Sequence, residues 1–130
     1  DYETTADKPK EHSLLGSQML KEAGLPSDIV YAVKVHNDIH GLPRKTLMDQ
    51  ALYAADPTSG FIVAGALIKP EKSLAAIDVE FLQNRYKEKS FARGANREVI
   101  ASCQEFGLSL EEFLEIALKA CQSIHKELGL

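Results

Sequence analysis

Two histidines and one aspartate are the residues of this sequence best suited to binding a metal ion. His12 and His36 are 24 residues apart, on helices that are predicted to form an antiparallel hairpin around a turn at residues 24–27. At 1.5 Å per residue the imidazoles would lie about 18 and about 14 Å from that turn, and so within a few ångströms of each other. Asp56 is the best carboxylate candidate. Two imidazoles with a carboxylate predict a site for a divalent transition metal.

Each of these three residues also has an ordinary structural role open to it. His12 would be a surface residue after the charged segment 8–11, His36 would bond to helix-end carbonyls, and Asp56 would cap the following helix. An up-and-down third helix would also carry Asp56 about 20 Å from the histidines. The metal site therefore requires that helix to cross the hairpin.

The elements that must position these residues are predicted to be helices, because no stretch alternates strictly between apolar and polar residues. The predicted fold class is all-α. Four helices are expected in the first half. The first runs from near Pro9 to Gly24, and its apolar stripe is formed by Leu14, Leu15, Met19 and Leu20. The second is capped by Ser27 and ends within 37–41, the third runs from near Pro43 to a break at Asp56-Pro57, and the fourth is an apolar helix from Phe61 to Ile68.

The second half of the chain predicts three more helices. A peripheral helix begins near Asp78, and a second is capped by Asn96 and ends at Gly107. The last helix opens on a capping box formed by Ser109 and Glu112. Its apolar stripe is expected to comprise Phe113, Ile116, Ala117, Ala120 and Ile124.

The composition indicates one soluble domain. The chain has 130 residues, 45% hydrophobic and 26% charged, which suits a single core. A net charge of −4 argues against dominant nucleic-acid binding. The longest apolar run, 61–68, is far shorter than the ~20 residues of a membrane-spanning helix, so no membrane segment is predicted. Cys103 and Cys121, without a signal-like start, favour a cytoplasmic location and are expected to be small buried hydrophobes.

Several short motifs together resemble one known enzyme family. The family's histidine and glycine at a helix start are similar to Glu11-His12-Ser13-Leu14-Leu15-Gly16. A later histidine segment of the family is similar to Val33-Lys34-Val35-His36-Asn37. Its closing aspartate segment is similar to Ala51-Leu52-Tyr53-Ala54-Ala55-Asp56-Pro57. Further segments are similar to segments of one subgroup of small hydrolases in this family: Asp56-Pro57-Thr58-Ser59-Gly60, Lys89-Ser90-Phe91-Ala92-Arg93-Gly94 and Arg97-Glu98. Over nearly its whole length the chain resembles the HD superfamily of metal-dependent phosphohydrolases.

This resemblance implies one helical-bundle domain of the HD type, in which a His, a His-Asp pair and a distant Asp hold a metal. Asp56 matches the distant Asp, and His12 and His36 match the additional histidines of binuclear members. The upstream His and the His-Asp pair do not occur in the sequence, so residues 1–130 are expected to be the carboxy-terminal part of the domain, inactive and weak in metal binding by themselves. The identity of the metal and the number of bound ions stay open; the metal could be Mn, Fe, Ni, Co, Zn or Mg.

The same resemblance implies hydrolysis of a small phosphate ester or nucleotide by metal-activated water. Lys89, Arg93 and Arg97 are candidates for neutralising the substrate phosphate, because cationic side chains match phosphate oxygens. A solvated basic face is the alternative for these three, and no residue is assigned a catalytic role. The alternative function is a non-catalytic interaction module that uses the apolar helix at 61–68, and homo-oligomerisation stays open.

Overall fold

Helices make up every regular element of the described chain, which confirms the all-α prediction. The computed structural model describes residues 1–130, apart from the side chain of residue 2. Within this part there is no strand. The α-helices are α1 (Tyr2–Thr5), α2 (Leu14–Glu22), α3 (Ser27–Val35), α4 (Leu47–Leu67), α5 (Val79–Lys87), α6 (Arg97–Ala101), α7 (Leu110–Ser123) and α8 (His125–Leu128). Short 3-10 helices cover Asp38–His40, Leu74–Ala76 and Ser102–Phe106. The chain forms two compact units, Asp1–Tyr53 and Ala54–Leu130.

The first unit is built on the predicted hairpin of α2 and α3. The helices pack against each other across a turn in which Gly24 has a left-handed φ of +78°. The predicted start at Pro9 is wrong: residues 9–13 form turns, and α2 begins only after Ser13, whose φ is +68°. Ser27 is likewise the first residue of α3 and not its cap, because the extended backbone of Pro26 occupies the capping position.

The predicted apolar stripe of α2 is correct only in part, because Leu15 and Leu20 are half-buried whereas Leu14 and Met19 are 38% and 53% exposed. Ser13 and Ser17 are buried beside them. The Ser13 hydroxyl donates to the Lys34 carbonyl of α3 over 3.0 Å. A buried hydroxyl bonded to the backbone thus joins the two helices, which periodicity of large apolar residues does not reveal.

Helix α4 continues through Asp56 and Pro57, so the predicted break there is wrong. Two reciprocal hydrogen bonds fix its start. The Thr46 hydroxyl accepts from the Asp49 N–H over 3.2 Å, and the Asp49 carboxylate accepts from the Thr46 N–H over 2.9 Å. Beyond the proline, Phe61 and two further apolar residues of α4 are fully buried. Burial of Phe61 and Ile62 contributes about 1.5–3 kcal/mol each, which offsets the roughly 3 kcal/mol cost of an interior proline.

The second unit holds the larger hydrophobic core. Its buried residues are Phe61, Ile62, Ala66, Leu74, Ile77, Leu82, Ile100, Leu114, Leu118 and Cys121. Most of the predicted apolar helix 61–68 therefore belongs to the core, whereas Leu67 and Ile68 at its end are exposed. Leu82 is fully buried, so α5 contributes to this core, although it was predicted to be peripheral. No helix among the described residues is long and apolar enough to cross a membrane.

The predicted helix starts in this unit are confirmed. The side chains of Asp78 and Asn96 accept backbone N–H groups at the starts of α5 and α6. Ser109 and Glu112 form the predicted capping box of α7. The predicted stripe of the last helix is correct for Phe113 and Ala117, which packs against the core, and wrong for Ile116, Ala120 and Ile124, which are exposed. The helix buries a rotated face instead: Phe113, Leu114, Leu118 and Cys121.

Candidate metal centre

The imidazoles of His12 and His36 meet in the first unit. Their Nε2 atoms are 3.1 Å apart, and the ring centroids are 5.0 Å apart with the rings nearly perpendicular. His12 lies in the turn before α2, and His36 follows the last residue of α3. The hairpin therefore brings the two rings together at its open end, which confirms the predicted approach.

The hydrogen bonds of the other ring nitrogens define what the two Nε2 atoms can do. His12 Nδ1 lies 2.9 Å from Asp1 Oδ1, and His36 Nδ1 lies 2.6 Å from the Val33 carbonyl oxygen. A carboxylate and a carbonyl oxygen only accept, so we assign the hydrogen to Nδ1 in both rings. In the neutral rings each Nε2 then carries a lone pair, and the two Nε2 atoms lie 3.1 Å apart. A cation bound by both nitrogens would offset the repulsion between these lone pairs.

The separation of the Nε2 atoms fits two ligands of one metal ion. Imidazole nitrogens bind Zn²⁺ at about 2.0–2.1 Å, which puts two of them about 3.3 Å apart at a tetrahedral angle and about 2.9 Å apart at a right angle. The observed 3.1 Å lies between these values. The separation is therefore compatible with the two nitrogens acting as adjacent ligands of one ion.

Asp1 is the site residue that sequence reasoning missed. Its side chain is only 5% exposed. While Oδ1 faces His12, Oδ2 accepts the backbone N–H groups of Ser13 and Gly16 over 2.9 and 2.7 Å. This carboxylate thus joins the ring of His12 to the start of α2. No local pattern in the sequence links an aspartate to a helix that starts thirteen residues later.

The backbone of His12 is held by two side chains from beyond α3. The Nδ2 atom of Asn37 donates to the His12 carbonyl over 3.2 Å, and His40 Nε2 donates to it over 2.9 Å. His40 therefore faces the backbone of His12. These bonds place His12 firmly, although it belongs to no helix.

Asp56, the predicted carboxylate ligand, lies in the second unit. It is an exposed residue within α4, so it caps no helix. Over the part of the chain whose side chains are described, no group of three His, Cys, Asp or Glu residues could hold a metal ion. What the structure brings together is the histidine pair, which supplies two nitrogen donors.

The three predicted phosphate-binding cations have different environments. Lys89 and Arg93 are exposed and line a shallow cleft of about 620 Å³. Arg97 lies at its edge, but its guanidinium group donates to four carbonyl oxygens, those of Tyr86, Phe91, Ala92 and Ala95. Burial lowers the pKa of Arg97, although nearby Tyr86 partly offsets this. Arg97 therefore stabilises the loop, which leaves Lys89 and Arg93 as the accessible cations of this set.

Cys103 and Cys121 are buried thiols, as predicted. Burial raises the pKa of both thiols, so little thiolate is present at neutral pH. A raised thiol pKa is the opposite of what a nucleophilic cysteine requires. Neither cysteine is a candidate for catalysis.

No protein-family model, curated protein or solved structure matches this chain. The HD-superfamily relationship therefore remains a prediction from the motifs at residues 11–16, 33–37 and 51–60. The chemistry of the centre has to be inferred from its own geometry, which is that of two imidazoles with their Nε2 atoms turned towards each other.

Proposed function

We propose that this chain carries part of the divalent-metal site of a phosphohydrolase of the HD type. The observation that carries the proposal is the 3.1 Å separation of the Nε2 atoms of His12 and His36. Two imidazoles suit Mn, Fe, Co, Ni or Zn. Asp56 stays a predicted carboxylate ligand on the basis of its motif.

The partners of the Nδ1 atoms support a ligand role for both histidines. A histidine that binds a metal through one nitrogen usually donates its other N–H to a carboxylate or a backbone carbonyl, which fixes the tautomer and the ring orientation. His12 has the carboxylate of Asp1, and His36 has the carbonyl of Val33. Each ring is therefore held with its Nε2 lone pair available.

A divalent ion at this site would supply Lewis acidity towards a phosphoryl oxygen and would lower the pKa of a water molecule that it binds. The exposed cations Lys89 and Arg93 are proposed to bind the phosphate of the substrate. Arg97 would contribute indirectly, because it donates to the carbonyls of Phe91 and Ala92 just before Arg93. That bracing holds the loop in which Arg93 lies.

A metal titration of the 130-residue chain tests the proposal. Ni²⁺ binding is measured by calorimetry, and bound nickel by elemental analysis, for the unchanged chain and for His12→Ala, His36→Ala and Asp56→Asn. We expect weak but measurable binding by the unchanged chain and a loss of affinity of about tenfold or more in His12→Ala and in His36→Ala. The Asp56→Asn variant tests the ligand role that the motif predicts for Asp56. The exposed His125 lies in the second unit, and His125→Ala is the matched control, expected to bind normally. Unchanged affinity in His36→Ala would contradict the proposal, and the absence of any binding would favour an interaction module.

A further inference from the structure

We propose that Asp1 is a positioning residue that sets the tautomer and orientation of His12 for metal binding. The inference rests on the proposed metal site. It is drawn from the contacts of one buried carboxylate, whose two oxygens have different partners.

The carboxylate of Asp1 is fixed before it reaches the imidazole. Its Oδ2 accepts from the backbone N–H groups of Ser13, just before α2, and of Gly16, in its first turn, neither of which has a carbonyl partner inside that helix. Both bonds hold Oδ2 at the start of α2 and so fix the direction in which Oδ1 points. Its Oδ1 can then only accept the Nδ1–H of His12. The start of α2 thus dictates which nitrogen of His12 is left for a metal.

His36 provides an internal comparison. Its Nδ1 donates to the Val33 carbonyl, three residues earlier in its own helix. That bond depends on the backbone of α3 and on no other side chain. A change at Asp1 should therefore affect His12 and leave the tautomer of His36 unaltered.

Gly16 marks the close approach of the carboxylate to α2. A Cβ atom added at Gly16 would lie 2.9 Å from Asp1 Oδ2 and 3.1 Å from Asp1 Cγ. An alanine there would push the carboxylate away, while its own backbone conformation stays helical. Gly16→Ala therefore disturbs Asp1 without altering either Asp1 or His12 chemically.

The test combines histidine NMR of the metal-free protein with Ni²⁺ affinity. In Asp1→Asn, the amide oxygen can keep the backbone N–H bonds, which turns the amide NH₂ towards His12 Nδ1. Long-range ¹H–¹⁵N spectra, recorded where the rings are neutral, should then show His12 changing to the Nε2–H tautomer while His36 keeps Nδ1–H. Ni²⁺ affinity should fall by about 10- to 100-fold. Gly16→Ala should act in the same direction, and the exposed Asp7→Asn is the matched control.

The outcomes separate this inference from the proposed function. If the unchanged chain binds Ni²⁺, and folded Asp1→Asn and Gly16→Ala keep both the tautomer of His12 and the affinity, the role of Asp1 is overturned. If the unchanged chain binds no metal at all, the proposed function fails, and the NMR spectra of the same variants still decide whether Asp1 sets the tautomer of His12. Circular dichroism of each variant shows that it is folded, and Gly16→Ala provides the decision if Asp1→Asn does not fold.

Discussion

Arg93 and Arg97 show how far a residue's surroundings decide its role. The two arginines are four positions apart and carry the same charge. Arg93 is exposed, whereas Arg97 donates to four carbonyls and lies over the ring of Phe61, with its guanidinium carbon 4.5 Å from the ring centroid. The sequence alone gives no means of telling one from the other.

Replacing these arginines should change the stability by very different amounts. We expect Arg97→Ala to lower the free energy of unfolding by about 3 kcal/mol, because it removes charge-assisted bonds and leaves carbonyls without their donor. Arg93→Ala should change it by no more than about 0.5 kcal/mol. Urea denaturation followed by circular dichroism measures both. Equal effects of the two substitutions would contradict the structural role of Arg97.

The closeness of the two histidine side chains could be predicted from the sequence because it depends on regular helix geometry. A hairpin with a known turn and a fixed rise per residue places His12 and His36 at the same end. The contribution of Asp1 could not be predicted, because it depends on the orientation of one carboxylate towards two backbone N–H groups. Likewise, nothing in the type of Arg97 reveals that carbonyls surround it.

Among the elements, α4 departs most from what the sequence predicts. A proline normally ends or kinks a helix, because it lacks an N–H and its ring crowds the preceding turn. Here Pro57 lies inside a helix of 21 residues. The hydroxyls of Thr58 and Ser59, just after the proline, donate to the carbonyls of Ala54 and Asp56, which precede it. The local rule was overridden by burial of the residues that follow.

Removing this proline should stabilise the protein. In Pro57→Ala the helix regains one backbone hydrogen bond, and the gain of up to about 3 kcal/mol exceeds the roughly 0.4–1 kcal/mol by which the unfolded chain becomes more flexible. We expect the free energy of unfolding to rise by about 2 kcal/mol in urea denaturation. Pro70→Ala is the matched control, because Pro70 lies in an exposed turn, and it should be neutral or slightly destabilising. A less stable Pro57→Ala protein would refute this account of α4.

Helix starts that carry a side-chain signal were predicted well. Asp78, Asn96 and the pair Ser109–Glu112 each have an oxygen in register with orphan N–H groups, which is a local property of the sequence. The start of α2 was predicted wrongly, because residues 9–13 form turns that are held by hydrogen bonds to the side chains of Asp1 and Asn37. The rotated face of α7 was missed because two overlapping apolar stripes run along it, and only packing selects one.

Over the whole molecule, the all-α class could be predicted, whereas the division at Tyr53 and Ala54 could not. The division falls inside α4, where the sequence shows neither a linker nor a change of composition. Charge and hydropathy are averages along the chain. They do not report which residues come into contact.

Stability of the molecule should decrease at alkaline pH. Burial raises the pKa of Cys103 and Cys121 above the ordinary value of 9.0, and burial raises that of Tyr86 above 10.0. Groups with a raised pKa in the folded state contribute stability that is complete below the unfolded pKa and is lost as the pH rises through the folded one. Urea denaturation at pH 8 and at pH 10.5 should therefore show lower stability at pH 10.5. A Cys103→Ala, Cys121→Ala variant should lose less on this change of pH, and an identical loss would count against burial of the thiols as a cause.

The close approach of Asp1 to Gly16 also has an evolutionary consequence. Gly16 lies in an ordinary helix, so no special backbone conformation reserves the position for glycine. What excludes a side chain is the volume that the Asp1 carboxylate occupies. Positions 1 and 16 should consequently vary together among related sequences: a descendant that acquires a larger residue at position 16 should have lost the acid at position 1, and one that keeps the acid should keep the glycine.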